Sequence, residues 1–207
     1  AELDETVGRT RFDQRHWYRI RQRHPVPRTG RECGGVPCLG CLQRCPATDA
    51  LPEEVVRMAA EAGLKVIKTG FRFGSVSILI RGERFEVTTF RSDLVTDGRH
   101  SQVGFSKNIL DDASRRDFTM NAIYMTIDGD ILDPISGWED LIFGHVRFIG
   151  KPQERIHEDY LRVLRYFRFL SIYEENLDSI DSEIINVCSE AIPGLQMLSD
   201  DRLWEEL

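Results

Sequence analysis

The feature that most constrains this chain is an abrupt change in pattern near Pro46. Before that point arginines recur from Arg9 to Arg31, and apolar residues follow neither a helical nor a strand period. Prolines and glycines between Pro25 and Gly35 are typical breakers of helices and strands. We therefore predict that residues 1–46 are irregular or disordered, with at most a short helix at residues 17–23. The arginines fit either a solvated tail or an RNA-binding arm. We favour the tail, because basic runs are common and rarely specific.

Beyond this segment the sequence is orderly, and short strands precede helices. Pro52 followed by two glutamates is typical of a helix start, and Gly63 is typical of a helix end. Strands are predicted at residues 64–67, 75–80, 84–90 and 145–149, a hairpin at 122–132, and helices at 111–121, 138–143, 152–172, 182–191 and from 199. Residues 91–105 are polar and are predicted to form a loop. This order indicates an α+β domain at residues 47–150 followed by a helical segment at residues 151–207.

Composition and charge exclude several classes of protein. The 207 residues carry a formal charge of −7 and 41% of them are hydrophobic, which suffices for a sizeable core. No apolar run reaches the roughly 18 residues of a membrane helix, so no membrane partner is expected. The acidic balance argues against bulk coating of nucleic acid, although it allows a local basic groove. Four of the five cysteines crowd between Cys33 and Cys45, unlike those of a disulfide scaffold, and we predict a reducing, cytoplasmic location.

The segment at residues 158–169 combines acidic and basic side chains at helical spacing. On a helix, Asp159 and Arg162 share a face, and Arg165 and Arg168 continue the same row. An aspartate accepts from the exocyclic amine of cytosine or adenine while an arginine donates to the neighbouring ring nitrogen, a pairing that disfavours uracil and guanine. The remaining arginines suit phosphates. The same pattern also fits a surface helix with ion pairs between residues three apart.

A second segment, at residues 115–122, offers groups for a phosphate and a ribose. Arg116 can donate to a phosphate, while Asp117 and Asn121 lie one helical turn apart. Those two side chains can hold a ribose hydroxyl, or they can cap neighbouring turns. For a third segment, at residues 133–141, we predict a structural role as a hairpin end and helix cap that shapes the pocket.

Together and in this order, these segments resemble the class II tRNA nucleotidyltransferase and poly(A) polymerase family, which includes the CCA-adding enzymes. The resemblance begins with Ala-Thr-Asp-Ala-Leu-Pro at residues 47–52 and includes Phe-Glu-Val-Thr-Thr-Phe-Arg at residues 85–91. It implies a DNA polymerase β-like nucleotidyltransferase head with a small mixed or antiparallel sheet at residues 47–150, followed by a truncated helical neck at residues 151–207. It also implies transfer of CMP and AMP from CTP and ATP to a tRNA 3′ end.

The resemblance implies roles for individual residues. The implied nucleotide-binding residues are Arg116, Asp117, Asn121, Asp159, Arg162, Arg165 and Arg168. The first three fall on the phosphate and ribose side, the next two read the base, and the last two hold the triphosphate. Two Mg²⁺ ions are implied as cofactors, and Glu86 would be the third acidic residue of their site. Arg99 and His100 would lie in a flexible loop that helps to switch from C to A addition.

The chain departs from the family at the paired aspartates that bind the metal ions. Gln43 and Cys45 occupy their expected positions, and no carboxylate occurs between Glu32 and Asp49. The first strand of the head is therefore expected to be missing. Glu86 alone is a poor site for two divalent ions, because each ion needs several oxygen ligands. We predict little or no transferase activity and, since residue 207 falls within a predicted helix, weak affinity for tRNA.

Two explanations for residues 1–46 stay open. One is a misread of the ancestral segment, for example through a shifted reading frame. The other is a gained metal site, because Cys33, Cys38, Cys41 and Cys45 have a spacing compatible with an iron–sulfur cluster or zinc. Two alternative functions also stay open: a non-catalytic nucleotide- or RNA-binding module, because the paired carboxylates are missing, and a cysteine-cluster metal protein. CCA-adding, CC-adding, A-adding and poly(A)-adding enzymes share these head motifs.

Overall fold

A computed structural model describes residues 46–93, 103–126, 130–174 and 180–207, together with the backbone of one short strand, β1 (Arg9–Thr10). Several predictions concern residues outside the described ranges. They are the short helix at residues 17–23, the cysteine cluster, the loss of the first strand before residue 47, and the loop with Arg99 and His100. In the described part of the chain, no helix has the length and apolar character needed to cross a membrane.

The first half of the described chain is a small sheet with one helix packed against it. Helix α1 (Pro52–Glu61) begins where the Glu54 carboxylate accepts a hydrogen bond from the backbone N–H of Leu51 at 2.8 Å. Pro52, Val55 and Ala59 are buried against the sheet side of the chain, and Gly63, at φ +70°, turns the chain after the helix ends. The predicted helix start and end are therefore confirmed.

The sheet is mixed, as predicted, and four strands form it. They are β2 (Ala47–Thr48), β3 (Lys65–Ile67), β4 (Ser75–Ile80) and β5 (Glu83–Thr89), in the order β2-β5-β4-β3. Strand β2 runs parallel to β5, and the other pairs are antiparallel. The turn between β4 and β5 contains Arg81 and Gly82, both at positive φ, as in a tight two-residue hairpin turn. The three predicted strands in this region are confirmed to within one residue at each end.

Two of the predicted elements nearby are wrong. Residues 91–105 are not simply a loop, because β6 (Arg91–Asp93) pairs antiparallel with β7 (Val103–Phe105). Strands of three residues are too short to show a sequence period. The predicted strand at residues 145–149 is reduced to a single bridge between Phe118 and Phe148.

The predicted helix at residues 111–121 is two shorter elements. Helix α2 (Ile109–Ser114) begins after Asn108, whose side chain accepts from the N–H of Leu110 at 3.0 Å. A 3₁₀ helix covers Thr119–Ala122. The residues between these elements, 115–118, therefore lie on irregular backbone, and their side chains point where tertiary contacts direct them.

The predicted hairpin at residues 122–132 and the predicted helix at 138–143 are confirmed. Strand β8 (Tyr124–Met125) pairs antiparallel with β9 (Ile131–Leu132), and β1 joins the other side of β9. Helix α3 (Trp138–Phe143) follows. It ends at Gly144, where a Cβ atom would lie 2.1 Å from a carbonyl oxygen of a later helix. This close approach keeps the two elements packed together.

The long helix predicted at residues 152–172 is broken in two. Helices α4 (Pro152–Glu158) and α5 (Leu161–Tyr173) are separated by a two-residue break. In this break Asp159 has an extended backbone, with φ −154° and ψ 106°, and its Oδ1 accepts from the first N–H of α5 at 3.2 Å. Such a local hydrogen bond competes with helix continuation. The prediction that Asp159 and Arg162 share one helix face is therefore wrong.

Two further helices complete the described chain. They are α6 (Ser182–Ala191) and, after a 3₁₀ helix at Ile192–Met197, α7 (Asp200–Glu206), and both were predicted. The main hydrophobic core contains residues from both sides of the predicted boundary between residues 150 and 151. Phe118, for example, has its ring centroid 4.9 Å from that of Phe148 and 5.1 Å from that of Phe169. This shared core holds α5 against the segment at residues 115–122.

Candidate functional site

A cleft of about 450 Å³ lies between the sheet, the segment that follows α2 and the start of α5. Seven of the predicted site residues line it: Glu86, Arg116, Asp117, Asn121, Asp159, Arg162 and Arg165. The lining also includes residues that the sequence analysis did not single out: Ala47, Ser75, Thr88, Arg91, Asp112 and Arg115. The structure thus brings three separate segments of the chain to one cleft.

Glu86 is the acidic residue that the sheet contributes. It is half-buried on β5, directly paired in register with Ser77 of β4. Asp112, Asp117 and Asp159 each form an ion pair with an arginine. Among the described residues, Glu86 has no such partner, so its carboxylate remains available to a ligand.

Asp112 and Tyr124 both contact the guanidinium of Arg116. The buried Asp112 accepts through Oδ2 from Arg116 Nη2 at 3.0 Å and from the Tyr124 hydroxyl at 2.8 Å. The Tyr124 ring centroid lies 4.9 Å from the guanidinium carbon, within cation–π range. Burial would raise the pKa of Asp112, but the Arg116 charge and these hydrogen bonds hold the pKa below its ordinary value. The carboxylate therefore stays charged and anchors the arginine.

Asp117 is buried and forms a two-point contact with Arg165, which lies 48 residues later in the chain. Asp117 Oδ2 accepts from Arg165 Nε at 2.7 Å and from Nη2 at 2.6 Å, while Oδ1 accepts from Asn121 Nδ2 at 2.7 Å. Burial would raise the pKa of Asp117, yet the Arg165 charge and the Asn121 hydrogen bond lower it overall. Asp117 thereby orients both side chains toward the cleft.

Asp159 and Arg162 stay within one turn although the helix is broken between them. The N–H of Arg162 bonds to the Asp159 carbonyl oxygen at 3.1 Å. Asp159 Oδ2 accepts from Arg202 of α7 at 2.7 Å. Arg162 Nη1 donates to Glu158 Oε2 and to the Arg155 carbonyl oxygen, both at 2.6 Å. An acceptor and a donor fork therefore line the same cleft, each fixed by a neighbour.

Arg168 has a different place from the other predicted nucleotide-binding residues. It donates to the carboxylate of Glu206, which also accepts from Arg165 Nη1 at 3.3 Å. Its guanidinium carbon lies 4.9 Å from the ring centroid of Phe169. Arg168 is not among the residues that line the cleft. It lies beside Arg165 and is bound to the same carboxylate.

The charge balance of the lining suits a polyanion. Five arginines and four carboxylates face the cleft, and three of those carboxylates are already paired with an arginine. Guanidinium groups match phosphate oxygens in geometry and charge. Of the lining residues missed from the sequence, Asp112 did carry a signal, since it stands four residues before Arg116, the spacing of a helical ion pair.

The described acidic residues do not fit a site for two divalent metal ions. In residues 46–93, 103–126, 130–174 and 180–207, no group of three or more His, Cys, Asp and Glu side chains is arranged to hold a metal ion. A magnesium ion in such sites takes several oxygen ligands. Glu86 supplies one carboxylate, and each of the three aspartates that line the cleft already forms an ion pair with an arginine.

Known proteins that resemble this chain belong to one family of nucleotidyltransferases. Residues 46–147 match the family model for the poly A polymerase head domain. The human CCA tRNA nucleotidyltransferase 1, mitochondrial, is 40% identical over 162 residues, which are 78% of this chain and 37% of the human protein. The CCA-adding enzyme of Lactobacillus helveticus is 40% identical over 161 residues, which are 77% of this chain and 39% of that enzyme.

A solved structure gives the same result. The crystal structure of the Bacillus stearothermophilus CCA-adding enzyme in complex with CTP superposes with a TM-score of 0.64 at 35% identity, over 77% of this chain and 37% of that chain. The fold and the cleft define a polymerase β-like nucleotidyltransferase head with helices after it. The chain belongs to the tRNA nucleotidyltransferase and poly(A) polymerase family, as the sequence motifs indicated. It spans less than two fifths of the length of these relatives.

Proposed function

We propose that this chain provides the nucleotide-binding head for adding CMP and AMP, from CTP and ATP, to the 3′ end of tRNA. The observation that carries this proposal is the convergence of β5, residues 115–122 and the α4–α5 junction on one arginine-rich cleft. Kinship with CCA-adding enzymes supports the same function.

In this proposal Asp159 and Arg162 read the base. Cytosine and adenine each present an amine donor beside a ring-nitrogen acceptor, which an Asp acceptor and an Arg donor complement. Uracil and guanine present the opposite pattern at those atoms. Arg202 already donates to Asp159 Oδ2, but a carboxylate oxygen accepts more than one hydrogen bond, so the base amine can share it.

The other cleft residues hold the phosphates and the ribose. Arg116 and Arg165 each keep their guanidinium in place through a buried aspartate, and this preorganisation favours binding of a charged phosphate. Asp117 and Asn121, which are hydrogen-bonded to each other, offer an acceptor and an amide to a ribose hydroxyl. Arg168 supports the triphosphate side indirectly, because it shares Glu206 with Arg165.

We further propose that the chain binds nucleotide but transfers little or none of it. Glu86 is the carboxylate that could bind a Mg²⁺ ion, which in this chemistry would assist the 3′-hydroxyl and the departing pyrophosphate. The sequence places no acidic residue at the positions of the family's paired aspartates. A nucleotide- or RNA-binding module without catalysis is the second candidate, and the poor fit of the described carboxylates to a metal pair favours it.

Equilibrium dialysis with labelled CTP, ATP, UTP and GTP, in buffer without divalent ions, tests the binding proposal. CTP and ATP should bind about tenfold more tightly than UTP and GTP, which is the effect of one well-placed base contact. Asp159→Ala should remove that preference. The matched control is Asp201→Ala, at an exposed position on α7 that does not line the cleft. Equal binding of all four nucleotides by the unchanged chain would contradict the proposal.

Transfer is tested separately by incubation with labelled CTP or ATP, tRNA lacking its 3′ end, and Mg²⁺. We expect no incorporation above background. Incorporation that disappears in Glu86→Ala would refute the proposed loss of activity while leaving the nucleotide site intact.

Two finer assignments stay predictions. We propose a reducing compartment on the grounds of the cysteine content, and the human relative carries a mitochondrial name, so fractionation of cells should compare the cytosol with mitochondria. The cysteine cluster at residues 33–45 lies outside the described residues. Stoichiometric zinc or iron in purified protein would support the metal-site alternative, and its absence would exclude it.

A further inference from the structure

Arg155 is a buried arginine directly behind the cleft. It lies on α4, only 8% exposed, and it is not among the residues that line the cleft. A buried guanidinium is costly unless its N–H groups are satisfied by hydrogen bonds or counter-charges. Its partners therefore indicate what this residue stabilises.

One set of partners belongs to the phosphate side of the cleft. Arg155 Nη2 donates to the carbonyl oxygens of Arg115 and Arg116, each at 2.6 Å. These carbonyls follow the C-terminal end of α2, where a cation interacts favourably with the helix dipole. Arg155 thus holds the backbone immediately before Asp117, although it is 39 and 40 residues away in sequence.

The other set belongs to the base side. Arg155 Nη1 donates to Glu158 Oε2 at 2.6 Å, and the same oxygen accepts from Arg162 Nη1 at 2.6 Å. The backbone carbonyl of Arg155 accepts from that same Arg162 nitrogen, again at 2.6 Å. Two groups therefore fix Arg162: the backbone carbonyl of Arg155 and the carboxylate of Glu158, which Arg155 also binds.

We propose that Arg155 is a positioning residue that sets the distance between the base-reading side chains and the phosphate-binding segment. This inference rests on the proposed function and adds a residue to it that does not touch the nucleotide. The continuous path runs from the Arg116 carbonyl through Arg155 and Glu158 to Arg162. Because the phosphates and the base of one nucleotide must be bound at once, a shift along this path weakens recognition of the base in particular.

A lysine cannot replace the guanidinium at this position. The planar fork of Arg155 reaches two successive carbonyls and a carboxylate at once, whereas an ammonium group is a single point charge on a flexible stem. Arg155→Lys therefore keeps the charge and most of the volume but releases part of the path. The guanidinium of Arg116 is anchored independently by Asp112, so phosphate binding should persist.

The test measures dissociation constants for CTP, UTP and inorganic tripolyphosphate with the unchanged chain and with Arg155→Lys. We expect the preference for CTP over UTP to fall about fivefold or more, the effect of one misplaced hydrogen bond, while tripolyphosphate affinity changes less than about twofold. The matched control is Arg147→Lys, which alters an arginine–aspartate pair, with Asp140, away from the cleft lining. It should leave both quantities unchanged.

The outcomes separate the two proposals. If the unchanged chain does not prefer CTP, the proposed function fails and this inference fails with it. If the unchanged chain prefers CTP and Arg155→Lys does so equally, or loses CTP and tripolyphosphate affinity in parallel, only the role of Arg155 is overturned. If circular dichroism shows that Arg155→Lys does not fold, Glu158→Gln replaces it, because this change weakens the acceptor that Arg155 and Arg162 share. Glu158→Gln should then lower the preference for CTP over UTP, and an unchanged preference would overturn the inference.

Discussion

Arg202 donates to Asp159 at 2.7 Å, so helix α7 contacts the break between α4 and α5. One turn later on α7, Glu206 accepts from both Arg165 and Arg168. Two charged residues of this short helix, Arg202 and Glu206, therefore engage side chains that we assign to base and triphosphate recognition. No residue of helix α7 is fully buried, and these ion pairs contribute to holding it in place.

The two ion-pairing residues of α7 should differ in their effect on stability. Arg202 is 46% exposed and its pair is solvent-screened, so Arg202→Ala should lower the free energy of unfolding by at most about 1 kcal/mol. The Glu206 side chain is 9% exposed and serves two arginines, so Glu206→Ala should cost about 2 kcal/mol. Urea unfolding of both variants measures the difference. Equal losses would show that α7 is not held by Glu206.

Stability should fall in acid because of Asp112 and Asp117. Both have pKa values below the ordinary 3.8 in the folded chain, since burial is outweighed by a paired arginine and by hydrogen bonds. A lowered folded pKa contributes stability that is complete above the unfolded value and is lost as the pH falls through the folded one. Urea unfolding between about pH 5 and about pH 2 should show this loss. Asp117→Asn should be less stable at neutral pH but less sensitive over that range, and an unchanged slope would contradict the assignment.

The charge of Asp112 and the hydroxyl of Tyr124 should contribute unequally to the stability of the Arg116 site. Tyr124→Phe removes only the hydroxyl that donates to Asp112 and keeps the ring beneath Arg116, so we expect a loss of about 1 kcal/mol in stability. Asp112→Asn removes the charge that pairs with Arg116 at 3.0 Å and should cost about 3 kcal/mol, because a buried carboxylate no longer offsets the charge of a partly buried arginine. Thermal unfolding gives the stability, and dialysis with labelled CTP should show weaker binding for Asp112→Asn alone.

Long, periodic or sharply bounded elements could be predicted from the sequence, and tertiary hydrogen bonds account for the elements that could not. Helix α1 has a proline start and a glycine end, and the β4–β5 hairpin has an Arg-Gly turn, so both were confirmed. The break at Asp159 was missed because the flanking residues continue a helical pattern, while a single side chain hydrogen bond to the start of α5 decides the backbone. The pairing of β6 with β7 joins strands too short to show any period.

The candidate site was predictable as a set of residues but not as an arrangement. The motifs identified seven lining residues because their chemical types and order are specific. They did not reveal the role of Arg155, which depends on contacts to backbone carbonyls some forty residues away, or the ion pairs that α7 forms with Asp159 and Arg165. Backbone acceptors carry no sequence signal, so only the folded chain identifies these supports.

The segment at residues 133–141 has the structural role that its turn residues predicted. Asp133 accepts from the backbone N–H groups of Gly137 and Trp138 at 2.8 and 2.9 Å and so starts helix α3. Asp140 then accepts from the Thr119 hydroxyl at 2.6 Å. These contacts hold α3 against the 3₁₀ helix that carries the cleft residue Asn121.

Gly137 should therefore be among the least replaceable positions of the chain. Its φ of −85° suits any residue, but a Cβ atom there would lie 2.1 Å from the carbonyl oxygen of Thr119, and backbone cannot move aside as a flexible side chain can. Gly137→Ala should lower the free energy of unfolding by about 3 kcal/mol through overpacking. The control is Gly82→Ala, in the β4–β5 turn at φ +88° with no atom within 4 Å, where only backbone strain of about 1 kcal/mol is expected. Urea unfolding should rank the two variants in that order, and a smaller loss at Gly137 would mean that α3 is free to shift away from Thr119.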